Sequence, residues 1–283
     1  MDKKLNTLTF PEILAKTVKW IFLLTFLFIT FIPLVWLVIS SFKTNIEFQI
    51  KPFALPEVWQ FQNYVNAVAI SDLHLLFLHT LFVSVFSTLL NIVAAAMAAF
   101  VISREKFRGH NAVLNVIVAG VLIPIIALMV PYFRIISRLK LYDSLLGLVI
   151  TYAAISVPIS VFLIHGFMRS IPRELEEAAV IDGCSFYQRF SKVIFPLSRL
   201  GLVTAGTFVF LYSWNEFIYA LLLTSSVKAR TLQLGIRFFK SQFITDYTSM
   251  YAAIVLSVIP TIVVYVLFHE KIIKGMTSGA VKG

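Results

Sequence analysis

The chain has 283 residues, 59% of them hydrophobic and only 13% charged, with a formal net charge of +10 and a mean hydropathy of +0.89. Soluble domains carry about 25% charged residues, so this composition excludes an ordinary water-soluble domain and implies a polytopic membrane protein. The positive excess stands beside no soluble domain; it reads as the orientation signal of membrane loops and not as a nucleic-acid footprint.

Crossing a hydrocarbon core takes roughly 20 apolar residues as helix, and six runs are long enough: 20–39, 75–102, 112–133, 145–167, 201–223 and 250–268. The bilayer offers backbone groups no partners, so each run is expected to be helical; their unbroken apolarity argues against a β-barrel, whose strands alternate. The predicted fold class is all-α with six transmembrane helices. The first run lacks a small-residue cleavage site, which predicts an anchor and not a cleaved signal peptide. Six spans put both termini on one side. Taking that side as cytoplasmic places fifteen Lys and Arg residues inside and nine outside, the sense of the positive-inside bias. Arg134, Arg138 and Lys140 run against it and are expected on an amphipathic helix at the outer interface. His79, Asn91 and His165 have no metal-like spacing and are expected to make interhelical hydrogen bonds or to sit at interfaces.

Between the fourth and fifth spans lies the densest cluster of charge. Pro172 suits a first helical position, having no N–H to satisfy, and Glu174, Glu176 and Glu177 follow in the first turns, where the helix dipole favours negative charge. Leu175, Ala178, Ala179 and Asp182 fall at i, i+3, i+4 and i+7, a face of mostly small side chains that permits close approach to another helix or a groove. Gly183 is expected to end this helix. Ser185 with Gln188 has the spacing of a capping box, opening a second helix with Phe186, Phe190 and Val193 on one face until Pro196 stops it. The single cysteine, Cys184, excludes an intrachain disulfide, has no histidine nearby in sequence and reads as a small loop residue. On these residues alone the run is either a solvated loop with ordinary caps or a protrusion that a soluble partner grips.

In the fifth run Glu216 is the one firmly interior carboxylate. A charge at mid-membrane costs about 3 kcal/mol on insertion scales, so it is expected to face the bundle or a water-filled path, with Tyr212 and Asn215 as hydrogen-bond partners. With Trp214, these residues either line a pathway or hold the bundle together. No stretch reads Gly-x-x-x-x-Gly-Lys-Ser/Thr, so the chain is not expected to hydrolyse ATP, to act as an enzyme or to bind a cofactor itself. His269-Glu270-Lys271 lacks the second histidine of a helical zinc site, and no metal is expected. An ion-coupled secondary transporter using Glu216 is the alternative reading.

Glu177-Ala178-Ala179, Gly183 and Val193-Ile194-Phe195-Pro196 together resemble the EAA loop of ABC importer permeases. The resemblance continues in Trp214-Asn215-Glu216-Phe217, in 274–283, in Ser41-Phe42-Lys43-Thr44 and in Pro52-Phe53 through Asn63-Tyr64, and together these look like the carbohydrate-uptake branch, in particular the shorter permease of the maltose-transporter type. Leu200 departs from it, standing where family members often have a second proline. The resemblance implies a single permease domain: first span and outer loop over 1–74, five-helix core over 75–268, cytoplasmic tail over 269–283. It implies a multi-pass protein of a bacterial or archaeal inner membrane that forms half of a sugar pathway, with sugars from disaccharides to longer oligomers. The implied partners are a second, longer permease chain, two ATPase subunits carrying ATP and Mg²⁺, and an extracytoplasmic sugar-binding protein. Glu177, Ala178, Ala179, Asp182 and Gly183 would contact the ATPase. Ser278, Gly279 and Lys282 belong either to a tail reaching between the ATPase subunits or to a frayed terminus. The segment 230–247 resembles a loop that probes the binding protein and reads equally as an interfacial turn.

Overall fold

The computed structural model describes residues 10–70, 72–105, 107–239 and 246–280, and no strand occurs among them. The helices are α1 Phe10–Ser40, α2 Asn45–Ile50, α3 Gln62–Ile70, α4 Leu73–Arg104, α5 His110–Ala119, α6 Met129–Arg138, α7 Leu145–Ser170, α8 Glu174–Ile181, α9 Phe186–Leu197, α10 Arg199–Asn215, α11 Ile218–Leu223, α12 Leu232–Ile236 and α13 Tyr247–Ala280. Pro11–Ser40, Leu73–Arg104, Leu145–Ser170 and Tyr247–Lys274 are long and apolar enough to cross a bilayer. Two bent pairs, His110–Leu122 with Ile125–Arg138 and Phe186–Leu197 with Arg199–Asn215, raise the number to as many as six.

The expected third span, 112–133, is not one helix. Pro124 has no N–H to continue the ladder and disfavours helical backbone at Ile123, which takes φ −78° and ψ 122°. The two halves meet at 101°. The second half carries α6, which buries Ile136 and exposes Arg134 and Arg138, as expected of an amphipathic helix. The expected fifth span, 201–223, is also interrupted. Its helix stops at Asn215, Glu216 turns extended, and α11 begins at Ile218.

The chain divides into two compact units. The first comprises the described residues up to Val68 together with Phe239–Val255. The lipid-length part of α1 is exposed along 11–35, whereas the residues after it pack closely. Trp36 meets Phe48 and Tyr251 at 5.9 and 5.6 Å between ring centroids and donates from Nε1 to the Pro52 carbonyl at 2.9 Å. Lys43 is fully buried, its ammonium donating to the carbonyls of Lys51 (2.8 Å) and Pro52 (3.1 Å). Asn63 donates to the carbonyls of Ser41 and Lys43 at 2.8 and 2.7 Å. Asp246 receives Asn45 Nδ2 at 2.9 Å and the Ser249 amide at 3.0 Å, capping α13. The burial that would raise its pKa is outweighed by these bonds, which hold it below the usual carboxylate value.

The second unit comprises Ala69–Phe238 and the described residues from Leu256. Its core is α4 against α7 and α10, where Ala95, Ala96, Ala99 and Ala205 let the backbones approach around Phe100, Ile164 and Met168. Small residues at crossings allow such packing where lipid supplies no hydrophobic drive. Gly201 belongs to the same logic: a methyl added there would lie 2.6 Å from the Phe167 ring. Asn91 joins α4 to α7 by donating to the Ala153 carbonyl at 2.8 Å.

Candidate functional site

The polar run folds as the caps dictate. Helix α8 starts at Glu174, two residues later than Pro172 suggested; Arg173 precedes it with helical backbone, and its carbonyl receives the amides of Glu176 and Glu177, each at 2.9 Å. The acidic first turn Glu174, Glu176 and Glu177 is as expected. At the other end Gly183 takes φ +83°, a conformation in which a Cβ is strained. The Gly183 amide donates to Val180 (3.0 Å) and the Cys184 amide to Ala179 (2.9 Å), the paired bonds of a Schellman turn. Ser185 and Gln188 form the full capping box. Pro196 does not stop the second helix. Helix α9 runs to Leu197, with a wider π turn over Arg189–Ile194, and only then bends by 76° into α10. Proline has no amide to return to the preceding turn, and the looser π geometry accommodates that loss. Leu200 lies inside α10, so the chain enters this helix without the second proline.

The two faces of α8 differ from the sequence expectation. Glu176 and Ala179 turn inward, 7% and 8% exposed, while Leu175, Glu177, Ala178, Asp182 and Gly183 remain exposed. Ala179 is therefore part of the seat of α8 and not of a free face with Ala178. A helix of two turns has too few apolar residues for periodicity to choose its buried side.

What seats α8 is a charge cluster that sequence reasoning missed. Arg189 Nη1 lies 2.6 Å from Glu176 Oε1, and its Nη2 lies 3.0 Å from Glu105 Oε1. Arg104 Nε lies 3.7 Å from Glu176 Oε2, while Arg104 Nη2 donates to the carbonyls of Met168 and, at 3.0 Å, Ile171. One guanidinium thus ties the end of α4 to the end of α7 and to α8. A cleft of about 370 Å³ opens beside this cluster, with Glu177, Val180 and Ile181 on its rim. The four charges lie up to 85 positions apart in sequence, so no local pattern announced them.

Of the four polar or aromatic residues of the fifth run, two are buried and hydrogen-bonded within the protein. Trp214 is fully buried and donates from Nε1 to the Ser257 carbonyl at 3.0 Å. Glu216 finds neither Tyr212 nor Asn215. It receives the Tyr152 hydroxyl at 2.6 Å and the amides of Tyr219 and Ala220 at 2.8 and 3.1 Å, so the carboxylate caps α11 and satisfies the donors freed by the break. Asn215 is exposed and donates to the Leu211 carbonyl at 2.8 Å. Tyr212 lines an apolar cavity of about 260 Å³ with Ile123, Ile125, Pro158 and Phe208. This cavity sits at the Pro124 break.

The segment 230–239 is fastened to α4: the Leu232 amide donates to Thr80 Oγ1 at 2.7 Å and His79 Nδ1 lies 3.0 Å from the Arg230 carbonyl. Its continuation 240–245 lies outside the described residues. Ser278 and Gly279 belong to α13, which continues helical to Ala280; Lys282 lies outside the described residues. No group of three or more His, Cys, Asp or Glu side chains positioned for a metal occurs among the described residues.

Residues 91–278 match the family model described as "Binding-protein-dependent transport system inner membrane component". A putative ABC transporter permease protein of Caldicellulosiruptor sp. (strain Rt8B.4) is 38% identical over 95% of this chain and 99% of its own. The sulfoquinovosyl glycerol transport system permease protein of Agrobacterium fabrum is 34% identical over 89% of this chain and 88% of its own. Among solved structures, a chain of a bacterial ABC transporter involved in the import of the acidic polysaccharide alginate superposes with a TM-score of 0.82 at 22% identity, over 93% of this chain and 98% of that one. With the seated α8, its Schellman turn at Gly183 and the helical bundle beneath it, these matches mean that the chain belongs to the family of binding-protein-dependent transport system inner membrane components.

Proposed function

We propose that the chain is the shorter of two permease subunits in an ATP-driven importer and forms half of the pathway for a sugar or glycoside delivered by an extracytoplasmic binding protein. Its whole length acts as one permease domain, with both termini in the cytoplasm of a bacterial or archaeal cell and α8 on that same side. Two ATPase subunits, which carry the ATP and Mg²⁺, grip the exposed face made by Glu177, Ala178 and Asp182, with Gly183 setting the angle at which α8 stands. Ser278, Gly279 and Lys282 approach the same subunits. The sugar class rests on the sulfoquinovosyl glycerol permease among its relatives.

The observation that carries the coupling role is the Arg104–Glu176–Arg189 cluster. A pull on α8 passes through buried, hydrogen-bonded charges into the ends of α4 and α7, which then move as rigid bodies. An ATPase that holds α8 differently in its open and closed states shifts the inward and outward populations accordingly. The test is reconstitution of this chain with its second permease, ATPase and binding protein in vesicles, followed by uptake of labelled glycosides. Uptake requires ATP and falls in Glu177→Ala; flux through this chain alone under an ion gradient, or unchanged uptake in that variant, would refute the reading.

A further inference from the structure

A second polar cavity lies where three membrane helices end. Its volume is about 330 Å³ and its lining includes Ser103 near the end of α4, His110 and Asn111 in the first turn of α5, His165 and Arg169 near the end of α7, and Arg173 just before α8. Arg104 also borders it but is engaged with Glu176 and two carbonyls. Arg169 and Arg173 are exposed, and no ion pair involves either among the described residues. Besides Arg104, the cavity therefore holds two guanidinium groups outside any ion pair among the described residues, two imidazoles and an amide. The first turn of a ten-residue helix adds amides whose dipole favours an anion.

Depth selects the anion. Each of α4, α5 and α7 turns here from apolar to polar, as spans do where they reach lipid phosphates and where arginine heads snorkel. On α7, Phe162, His165 and Arg169 fall at i, i+3 and i+7, so one stripe passes from an exposed aromatic to an imidazole to a cation. Phe162 is 52% exposed, and Val113, one turn into α5, is 42% exposed. A phosphodiester in the cavity would leave its acyl chains against these two side chains.

We propose that this cavity binds the phosphate headgroup of an anionic phospholipid in the leaflet at that end of the spans, with Arg169 and Arg173 as its principal ligands. The shared chemistry is a phosphate anion. The stripe below the cavity favours a lipid over free phosphate, and the concave site at the span ends favours it over an acidic protein surface.

The assembled transporter is purified in detergent with phosphatidylglycerol and phosphatidylcholine of equal chain length, and bound lipid is counted by native mass spectrometry for wild type and for Arg169→Gln/Arg173→Gln. The wild type should retain phosphatidylglycerol preferentially. The double variant should lose about thirtyfold in that preference, the equivalent of about 1 kcal/mol for each arginine. No preference in the wild type, or equal preference in both proteins, overturns the proposal. Inorganic phosphate forms the second arm: if it displaces the lipid at millimolar concentration, the occupant is a free anion and the lipid assignment fails. Should the variant keep phosphatidylglycerol but shed the ATPase subunit, the cavity is a protein interface and the proposal is likewise overturned. Neither arginine has an ion-pair partner among the described residues, so the variant is expected to fold, and a thermal midpoint within a few degrees of wild type checks it.

Discussion

Arg189 holds Glu176 at 2.6 Å across the Gly183 turn, so the helix after the turn is clamped to the buried side of the helix before it. The neighbouring Glu177 faces outward. Adjacent carboxylates therefore carry opposite burdens.

Glu176→Ala should cost about 3 kcal/mol, because it leaves the buried Arg104 without its carboxylate. Glu177→Ala should change stability by no more than about 0.5 kcal/mol yet weaken retention of the ATPase subunit. Thermal midpoints in nanodiscs and a pull-down of the complex separate the two. The reverse ranking would mean that α8 is seated by the wrong face.

Gly183→Ala places a Cβ at φ +83° and should cost about 1 kcal/mol locally. Coupled uptake should fall more than protein yield does, since the turn sets the angle of α8 without contributing to the α4–α7–α10 core. ATP-dependent uptake normalised to folded protein measures it.

Gly201→Ala and Gly206→Ala add the same methyl to the same helix. At 201 it meets the Phe167 ring at 2.6 Å, whereas at 206 its nearest neighbours, Ile92 and Thr88, stand at 3.6 Å. Overpacking should cost about 2 kcal/mol at the first site, and the second variant should match wild type. Unfolding midpoints of the two side by side test the α7–α10 crossing.

Glu216→Ala would strand the Tyr152 hydroxyl and two amides at the break between α10 and α11, at a cost of about 2 kcal/mol or more. Uptake per folded molecule should remain independent of an imposed proton gradient in both proteins. A gradient dependence that disappears with Glu216 would revive an ion-coupled carrier.

Asp143 accepts the amides of Ser225 and Ser226 at 2.7 and 2.9 Å. These bonds hold its pKa below the ordinary 3.8. A depressed folded pKa means that the contribution is complete above the unfolded value and is lost as pH falls through the folded one. The stability gap between wild type and Asp143→Asn should be constant from pH 7 to about 5, then close below about pH 4. Thermal midpoints across that range provide the check; a gap that widens with acid would contradict the assignment.

The features that the sequence determined by itself are those set by neighbours along the chain. Unbroken apolar runs demand helices in a bilayer; Gly183, Ser185 and Gln188 specify their caps within a few residues; and the Glu177-Ala178-Ala179 spacing placed the chain beside its relatives. Pro124 was equally visible, but whether a proline kinks a span or folds it back by 101° depends on what packs against it. Tertiary structure alone decided which side of the two-turn α8 is buried, that Glu216 caps a broken helix through Tyr152, and that Arg104, Glu105, Glu176 and Arg189 form one cluster. Each of these outcomes rests on at least one contact between groups 64 to 84 positions apart in sequence, which no short window contains.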